Sequence, residues 1–355
     1  MKNFFQRFPD LCCGIFDHLD DQNLAKSKEV SVTWCSFINS EKDWWIRMLQ
    51  KYADEDINED PNSWKKVIVR TPIEIVKNLA IASRKFYKHN KKAKNWSPLH
   101  IAAHSGHLQL CMQIFKKLKM KDLKNKDGIT PMHAAAARGN TKIYQYLMKN
   151  EKEKNPASND GYTPLFIASQ KGHFEVCKLI IDNVDEKNPA SNKGSTPLLV
   201  ASQNGHFEIC KLIIDNVDEK NYGNHDGFTP FNMAASLGHF DICKLIIENI
   251  DDKNPANIDG FTPLHMAAYN GQLSIFKLIT DYIDNMNLAN HEGFTPLYAA
   301  AQNGHFDICK FIIDNVDDKN PANFYGTTPL FMAAQNGHFD ICKLIIDNVD
   351  EKNPA

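Results

Sequence analysis

A hydroxyl residue followed by proline recurs eight times at a constant step of 33 residues: Ser97-Pro98, Thr130-Pro131, Thr163-Pro164, Thr196-Pro197, Thr229-Pro230, Thr262-Pro263, Thr295-Pro296 and Thr328-Pro329. Eight residues beyond each proline stands a glycine, from Gly106, Gly139 and Gly172 through Gly205, Gly238, Gly271 and Gly304 to Gly337. Two markers held in phase without an insertion or deletion constrain the chain to build one supersecondary unit repeatedly. The unit is legible in the period from Thr163 to Asn183. Thr163 can cap a helix with its hydroxyl, and Pro164 suits the first helical position, which needs no amide donor. Leu165, Ile167 and Ala168 supply the apolar face of a short first helix, and Gly172 permits a tight turn. Phe174, Val176, Cys177, Leu179, Ile180 and Ile181 make a second, strongly apolar helix. Asn183 is expected to end it in the left-handed conformation. The stretch from Asp185 to Ser195, with Pro189 and Gly194, reads as an extended turn. So small a unit buries neither face alone and must stack on its neighbours.

These residues resemble the ankyrin repeat, whose pattern runs TPLHxAA, then GH, then an apolar second helix. Here it reads Thr262-Pro263-Leu264-His265-Met266-Ala267-Ala268, and Gly304-His305-Phe306-Asp307-Ile308-Cys309-Lys310. The resemblance covers residues 92–355 and implies an all-α fold, an ankyrin-repeat solenoid of eight 33-residue helix-turn-helix repeats with β-turn fingers. Two departures stand out. The histidine of TPLH survives only at His100, His133 and His265, and Phe166, Leu199, Asn232, Tyr298 or Phe331 replaces it elsewhere. Val184 occupies the position of the glycine that usually ends the second helix.

Nine cysteines invite a disulfide or metal reading, but six of them, Cys111, Cys177, Cys210, Cys243, Cys309 and Cys342, share one position on the second helix. Tyr144 and Phe276 hold it in the other two repeats, so the position selects apolar volume. Equivalent positions on stacked helices lie about 8–10 Å apart, and a disulfide needs its Cα atoms within about 7 Å. No CxxC pair occurs, and the expectation is no metal and no cofactor. The histidines after the turn glycine (His107, His173, His206, His239, His305, His338) come one per repeat without a second ligand at helical spacing. They read as side chains bonding between neighbouring turns. HExxH, GxxxxGK[ST] and GxSxG are all missing from the sequence, so catalysis is not expected.

Residues 1–91 do not share the period. Residues 1–52 form the expected first domain and 53–91 a linker with a helical cap. Phe8-Pro9, Ile15-Phe16, Leu19, Leu24, Val30, Trp34, and Trp45 with Arg47 and Leu49 resemble an F-box over residues 8–52, with the step from Pro9 to Ile15 one residue short. The resemblance implies a small three-helix domain. It also implies a partner, the Skp-type adaptor of a cullin-RING ubiquitin ligase, bound through Phe8, Pro9, Ile15, Phe16, Leu19, Leu24, Val30 and Trp34. The other reading of this segment is a plain helical cap for the solenoid. Asp54, Glu55, Asp56, Glu59 and Asp60 suggest a solvated linker. Trp64 to Tyr87 suggests two helices split at Pro72, and the cluster from Arg84 to Lys94 is a nuclear signal or a solvated helix end.

A net charge of −2 supplies no long-range attraction to nucleic acid or an anionic membrane. No apolar run approaches the length of a membrane span, and MKNFFQRFPD lacks the apolar core of a signal peptide. Cysteine usage points to a reducing compartment, cytoplasmic or nuclear. The remaining function is binding of a protein target. Family arrays bind through turn tips and the first-helix face, and the residue before each Thr/Ser-Pro lies there: Trp96, Ile129, Tyr162, Ser195, Phe228, Phe261, Phe294 and Thr327. Trp96, Tyr162, Phe228, Phe261 and Phe294, with Tyr269 on a first helix, are the target-binding candidates. Either the rings meet a partner or each packs on its neighbouring turn. Lys171, Asn204, Asn270, Asn303 and Asn336 add polar contacts. The eighth repeat carries the same apolar second helix as the inner ones, which suggests a chain that continues or one that self-associates there.

Overall fold

A computed structural model describes residues 96–118 and 124–349. The F-box-like residues 8–52, the segment 53–91 with its basic cluster, and the last residues of the chain lie outside the described residues. The chain divides into two units, of which the first holds, among the described residues, 96–102 and 109–118, and the second 103–108 and 124–349. Helices account for the regular structure, and no strand occurs among the described residues. In chain order they are α1 (Pro98–His104), α2 (Leu108–Leu118), α3 (Pro131–Ala136), α4 (Thr141–Asn150), α5 (Pro164–Lys171), α6 (Phe174–Ile181), α7 (Pro197–Gln203), α8 (Phe207–Ile214), α9 (Pro230–Leu237), α10 (Phe240–Asn249), α11 (Pro263–Tyr269), α12 (Leu273–Thr280), α13 (Pro296–Gln302), α14 (Phe306–Ile313), α15 (Pro329–Gln335) and α16 (Phe339–Asn348).

In the first unit Leu99, Ile101, Ala102, Leu110, Cys111 and Ile114 are buried, and Ser97 Oγ lies 2.7 Å from His100 Nδ1. In the second unit each odd-numbered helix from α3 pairs with the helix that follows it. The first helices α3, α5, α7, α9, α11, α13 and α15 stack in one row, and the second helices α4 to α16 stack in another. Small residues at the contacts of the first row (Ala134, Ala168, Ala201, Ala234, Ala267, Ala300) let these helices approach. The second row buries Val176, Cys177, Ile180 and Ile181 and their equivalents. Such aliphatic side chains contribute about 1.5–3 kcal/mol each, and the first helices share the core through Leu165, Phe166, Leu198, Phe231, Leu264 and Leu297.

The local chemistry follows the sequence at the start of each hairpin. Thr163 Oγ1 accepts the Phe166 amide at 3.2 Å, with Pro164 at the first helical position. Gly172 has φ +77°, and Phe174 N donates to its carbonyl. The end of the second helix is closed differently from the expected left-handed asparagine. The Asn183 side-chain amide donates to the Leu179 carbonyl at 2.9 Å, and Asn216, Asn249, Asn315 and Asn348 repeat this bond. A side-chain donor thus satisfies a carbonyl of the last turn in place of the backbone geometry a glycine provides.

A device not read from the sequence fixes the entry to the first helices from α5 to α15. Asn188 Oδ1 accepts the Leu198 amide at 2.9 Å across ten residues, and Asn155, Asn221, Asn254, Asn287 and Asn320 do the same for the residue at that position in their repeats. The side chain captures one of the orphan donors of a helix N-terminus and folds the finger back over the helix.

The interface of fingers and first helices

Each finger from Asn125 onward is a tight turn closed by the residue before Thr-Pro. Asn257 N donates to Phe261 O at 2.8 Å, and Asn257 Oδ1 accepts the amides of Asp259 and Phe261 at 3.0 and 2.8 Å. Asn224 and Asn290 hold Phe228 and Phe294 in the same way. The Nδ2 groups of Asn257, Asn290 and Asn323 are buried without a partner. Successive fingers are joined by one backbone bond each: Asn159 N to Asp127 O, Asn192 N to Asp160 O, His225 N to Lys193 O, Ile258 N to Asp226 O, His291 N to Asp259 O, and Phe324 N to Glu292 O. This ladder locks the finger tips in register across the second unit.

The histidines of the TPLH position bridge repeats. His133 Nδ1 accepts the Thr130 amide at 3.1 Å, and its Nε2 lies 2.9 Å from Tyr162 O in the next finger. His265 pairs likewise with Thr262 and with Phe294 O. A backbone N–H on Nδ1 makes that nitrogen an acceptor, so the ring proton sits on Nε2 and is donated to the finger. Burial holds both imidazoles down at about 4. Asn232 keeps the contact to Thr229, through Oδ1 at 2.8 Å, but its Nδ2 has no partner. Tyr298 reaches the next finger through a 3.4 Å contact to Thr327 Oγ1.

Five of the six histidines after the turn glycine bond to a neighbouring turn, as the sequence suggested. His173, His206, His239, His305 and His338 place Nε2 3.0–3.3 Å from a carbonyl of the preceding repeat's turn. The glycine and the histidine form one device. A Cβ on Gly172 would lie 2.7 Å from the His206 ring. Asn140 fills the role where histidine is missing, donating to Ala103 O at 2.7 Å. Cys111, Cys177, Cys210, Cys243 and Cys309 sit in the core, and Cys342 is half-buried. Cys177 and Cys210 are fully buried beside Ser169 and Ser202, and burial pushes their thiols up to about 12. Among the described residues no cluster of three or more His, Cys, Asp or Glu side chains is arranged to hold a metal ion.

The aromatic candidates are neither free nor fully packed. Trp96, Tyr162, Phe228, Phe261 and Phe294 are half-buried. The Trp96 ring lies 5.8 Å from His100, Tyr162 4.7 Å from Phe166, Phe261 edge-on at 5.7 Å to His265, and Phe294 4.9 Å from Tyr298. Each of these four leans on the side chain four residues along, and Phe294 also lies 6.4 Å from the Tyr325 ring of the next finger. Tyr269 is 51% exposed on α11. Leu237, 51% exposed at the end of α9, was not singled out from the sequence, where its repeat equivalents are Ser105, Arg138, Lys171 and four asparagines. Tyr162, Ile167 and Met233 border the buried Phe166, Leu199 and Val200, so an apolar strip crosses the fifth, seventh and ninth helices.

The sequence model described as Ankyrin repeats (3 copies) matches residues 67–158, 112–190, 146–222, 183–257, 216–287 and 264–354, well over half of the chain. No curated relative matches it. Among the described residues no helix is long and apolar enough to cross a membrane.

Proposed function

Because this chain belongs to the ankyrin-repeat family, a family of protein-binding arrays, we propose that it is the substrate receptor of an SCF-type cullin-RING ubiquitin ligase. In this reading the repeats hold a protein target through Trp96, Tyr162, Phe228, Phe261, Tyr269 and Phe294, and residues 8–52 engage the Skp-type adaptor. The protein contributes proximity and no catalytic group, raising the local concentration of the target at the ligase. The observation that carries the target-binding half is the row of half-open rings Phe228, Phe261 and Phe294, held at one finger position in three consecutive repeats. Aromatic surface kept partly in water at fixed spacing is costly unless a partner covers it.

The adaptor half rests on the F-box-like residues of the sequence. Purified full-length chain is expected to capture the Skp adaptor, and replacement of Phe8, Pro9, Leu24 and Trp34 by alanine to abolish capture. Failure of the intact chain to capture it sinks the ligase reading. A second reading, an ankyrin scaffold unrelated to ubiquitin, is favoured by one observation: the family match begins at residue 67, inside the segment expected to be linker and cap. For the array, Phe228→Ala, Phe261→Ala and Phe294→Ala together are expected to weaken target binding at least tenfold while the far-ultraviolet helical signal persists. Unchanged affinity would remove the rings from the interface.

A further inference from the structure

The face built from fingers and first helices is divided by charge along the array. From each finger asparagine or serine to the turn glycine, the second to fourth repeats carry Lys126, Arg138, Lys171 and Lys193 against Asp127 and Asp160. The corresponding segments 224–238, 257–271, 290–304 and 323–337 contain no lysine or arginine, and carry Asp226, Asp259 and Glu292. These three carboxylates are exposed and occupy the same tip position of three consecutive fingers. Their backbones are fixed in register by the bonds from Ile258, His291 and Phe324. Neither Asp226 nor Asp259 holds an ion pair or side-chain bond among the described residues, and Glu292 Oε1 meets only the Tyr325 hydroxyl, at 3.5 Å. Behind the tips lies the apolar ground of the same repeats: Phe228, Phe261 and Phe294, then half-buried Met233 and Met266, then exposed Leu237 and Tyr269.

We propose that the fifth to seventh repeats dock an extended, cationic and apolar segment of a partner protein, its lysines or arginines meeting Asp226, Asp259 and Glu292 while its apolar side chains cover the rings behind them. This rests on the docking reading above and gives the partner's chemistry. Charge complementarity selects the occupant, because an acidic segment would place like charges against three exposed carboxylates whose own finger-to-turn segments carry no lysine or arginine. The cations of the second to fourth repeats repel such a segment and confine it to one end of the array. Spacing adds a register. First helices stack about 8–10 Å apart, and a polyproline II chain returns to the same face every three residues, about 9 Å. Lysine or arginine at every third position therefore meets successive fingers without distortion of either chain.

A random twelve-residue peptide library displayed on phage, selected against the full-length chain, tests this. Selected peptides are then measured by fluorescence anisotropy against the chain, against Asp226→Asn/Asp259→Asn/Glu292→Gln, and against the triple phenylalanine-to-alanine variant. The three isosteric changes lie on exposed side chains and keep one acceptor oxygen each, so the fold is expected to persist. The expected result is enrichment of lysine or arginine at three-residue spacing, affinity at least tenfold weaker for the charge-neutral variant, and loss on raising salt. Neutral or acidic peptides that need the phenylalanines but bind the charge-neutral variant within twofold would overturn the cationic partner and leave the docking reading standing. Cationic peptides with no preferred spacing would overturn the register. Selection of no peptide, or of peptides indifferent to both variants, would overturn the docking reading and this inference with it.

Discussion

Acid should loosen the array at two identified junctions. His133 and His265 are 1% and 2% exposed, and each bridges its own Thr cap to the finger of the next repeat. Burial lowers both from 6.5 to about 4. The sign follows from proton counting. Between pH 6.5 and 4 the unfolded chain binds a proton at each ring and the folded chain does not, so stability is full above pH 6.5 and is lost as pH falls through that window. For a group that titrates at 6.5 unfolded and about 4 folded, each histidine withdraws about 2 kcal/mol by pH 5 and about 3 kcal/mol once pH is below 4. The physical cause is burial, which penalises the charged ring, and in this geometry a proton on Nδ1 would also face the Thr amide that this nitrogen now accepts.

The perturbation that isolates the effect is His133→Asn with His265→Asn, since Asn232 already serves the same position. The double variant should be less stable at pH 8, by about 1 kcal/mol for each finger bond it cannot make. Its further loss between pH 8 and pH 5 should be about 4 kcal/mol smaller than that of the parent. Urea unfolding followed by circular dichroism at both pH values measures this. Exchange of amides around Tyr162 and Phe294 locates it, because a repeat array opens locally rather than as one unit. An identical acid loss in parent and variant would refute the assignment of the pH dependence to these two rings.

Gly172→Ala should cost well above the 1–2 kcal/mol of a left-handed non-glycine residue, because the new Cβ meets the His206 ring at 2.7 Å. Gly337→Ala, at the same φ of +77° but with nothing within 4 Å, should cost only the backbone part. Equal shifts in the urea midpoint would discount the Gly–His contact. Asn188→Ala should lower stability by about 1 kcal/mol by orphaning the Leu198 amide, and thermal melts that show no change would mean the finger holds without that bond. Iodoacetamide at pH 8 should modify half-buried Cys342 well before Cys177, Cys210 and Cys309, whose thiols titrate near 12 and carry about one thiolate in ten thousand. Comparable labelling of all four by peptide mass spectrometry would contradict the packing of the second helices.

What the sequence determined by itself is what one period of chain can decide locally. Thr163 and Pro164 start a helix, Gly172 reverses it, and the apolar residues of α6 require a neighbour, because capping, φ preference and amphipathic spacing act within a few residues. The repeat length then makes stacking of equivalent helices the available solution. The tertiary structure decided most of what depends on residues about 29–36 apart, the bonding of the histidines after the turn glycine to a neighbouring turn being the part already legible in the sequence. It made Gly172 a contact for His206, and His133 a bridge to Tyr162 O. It also left Asn232 Nδ2 unpaired, where a histidine would reach the next finger. It decided, too, that Phe261 and Phe294 lean on the residue four places along and stay half open, a division between packing and binding that depends on where the next repeat lands. Such distances are set by the register of stacked helices, and no preference carried inside one 33-residue period specifies them.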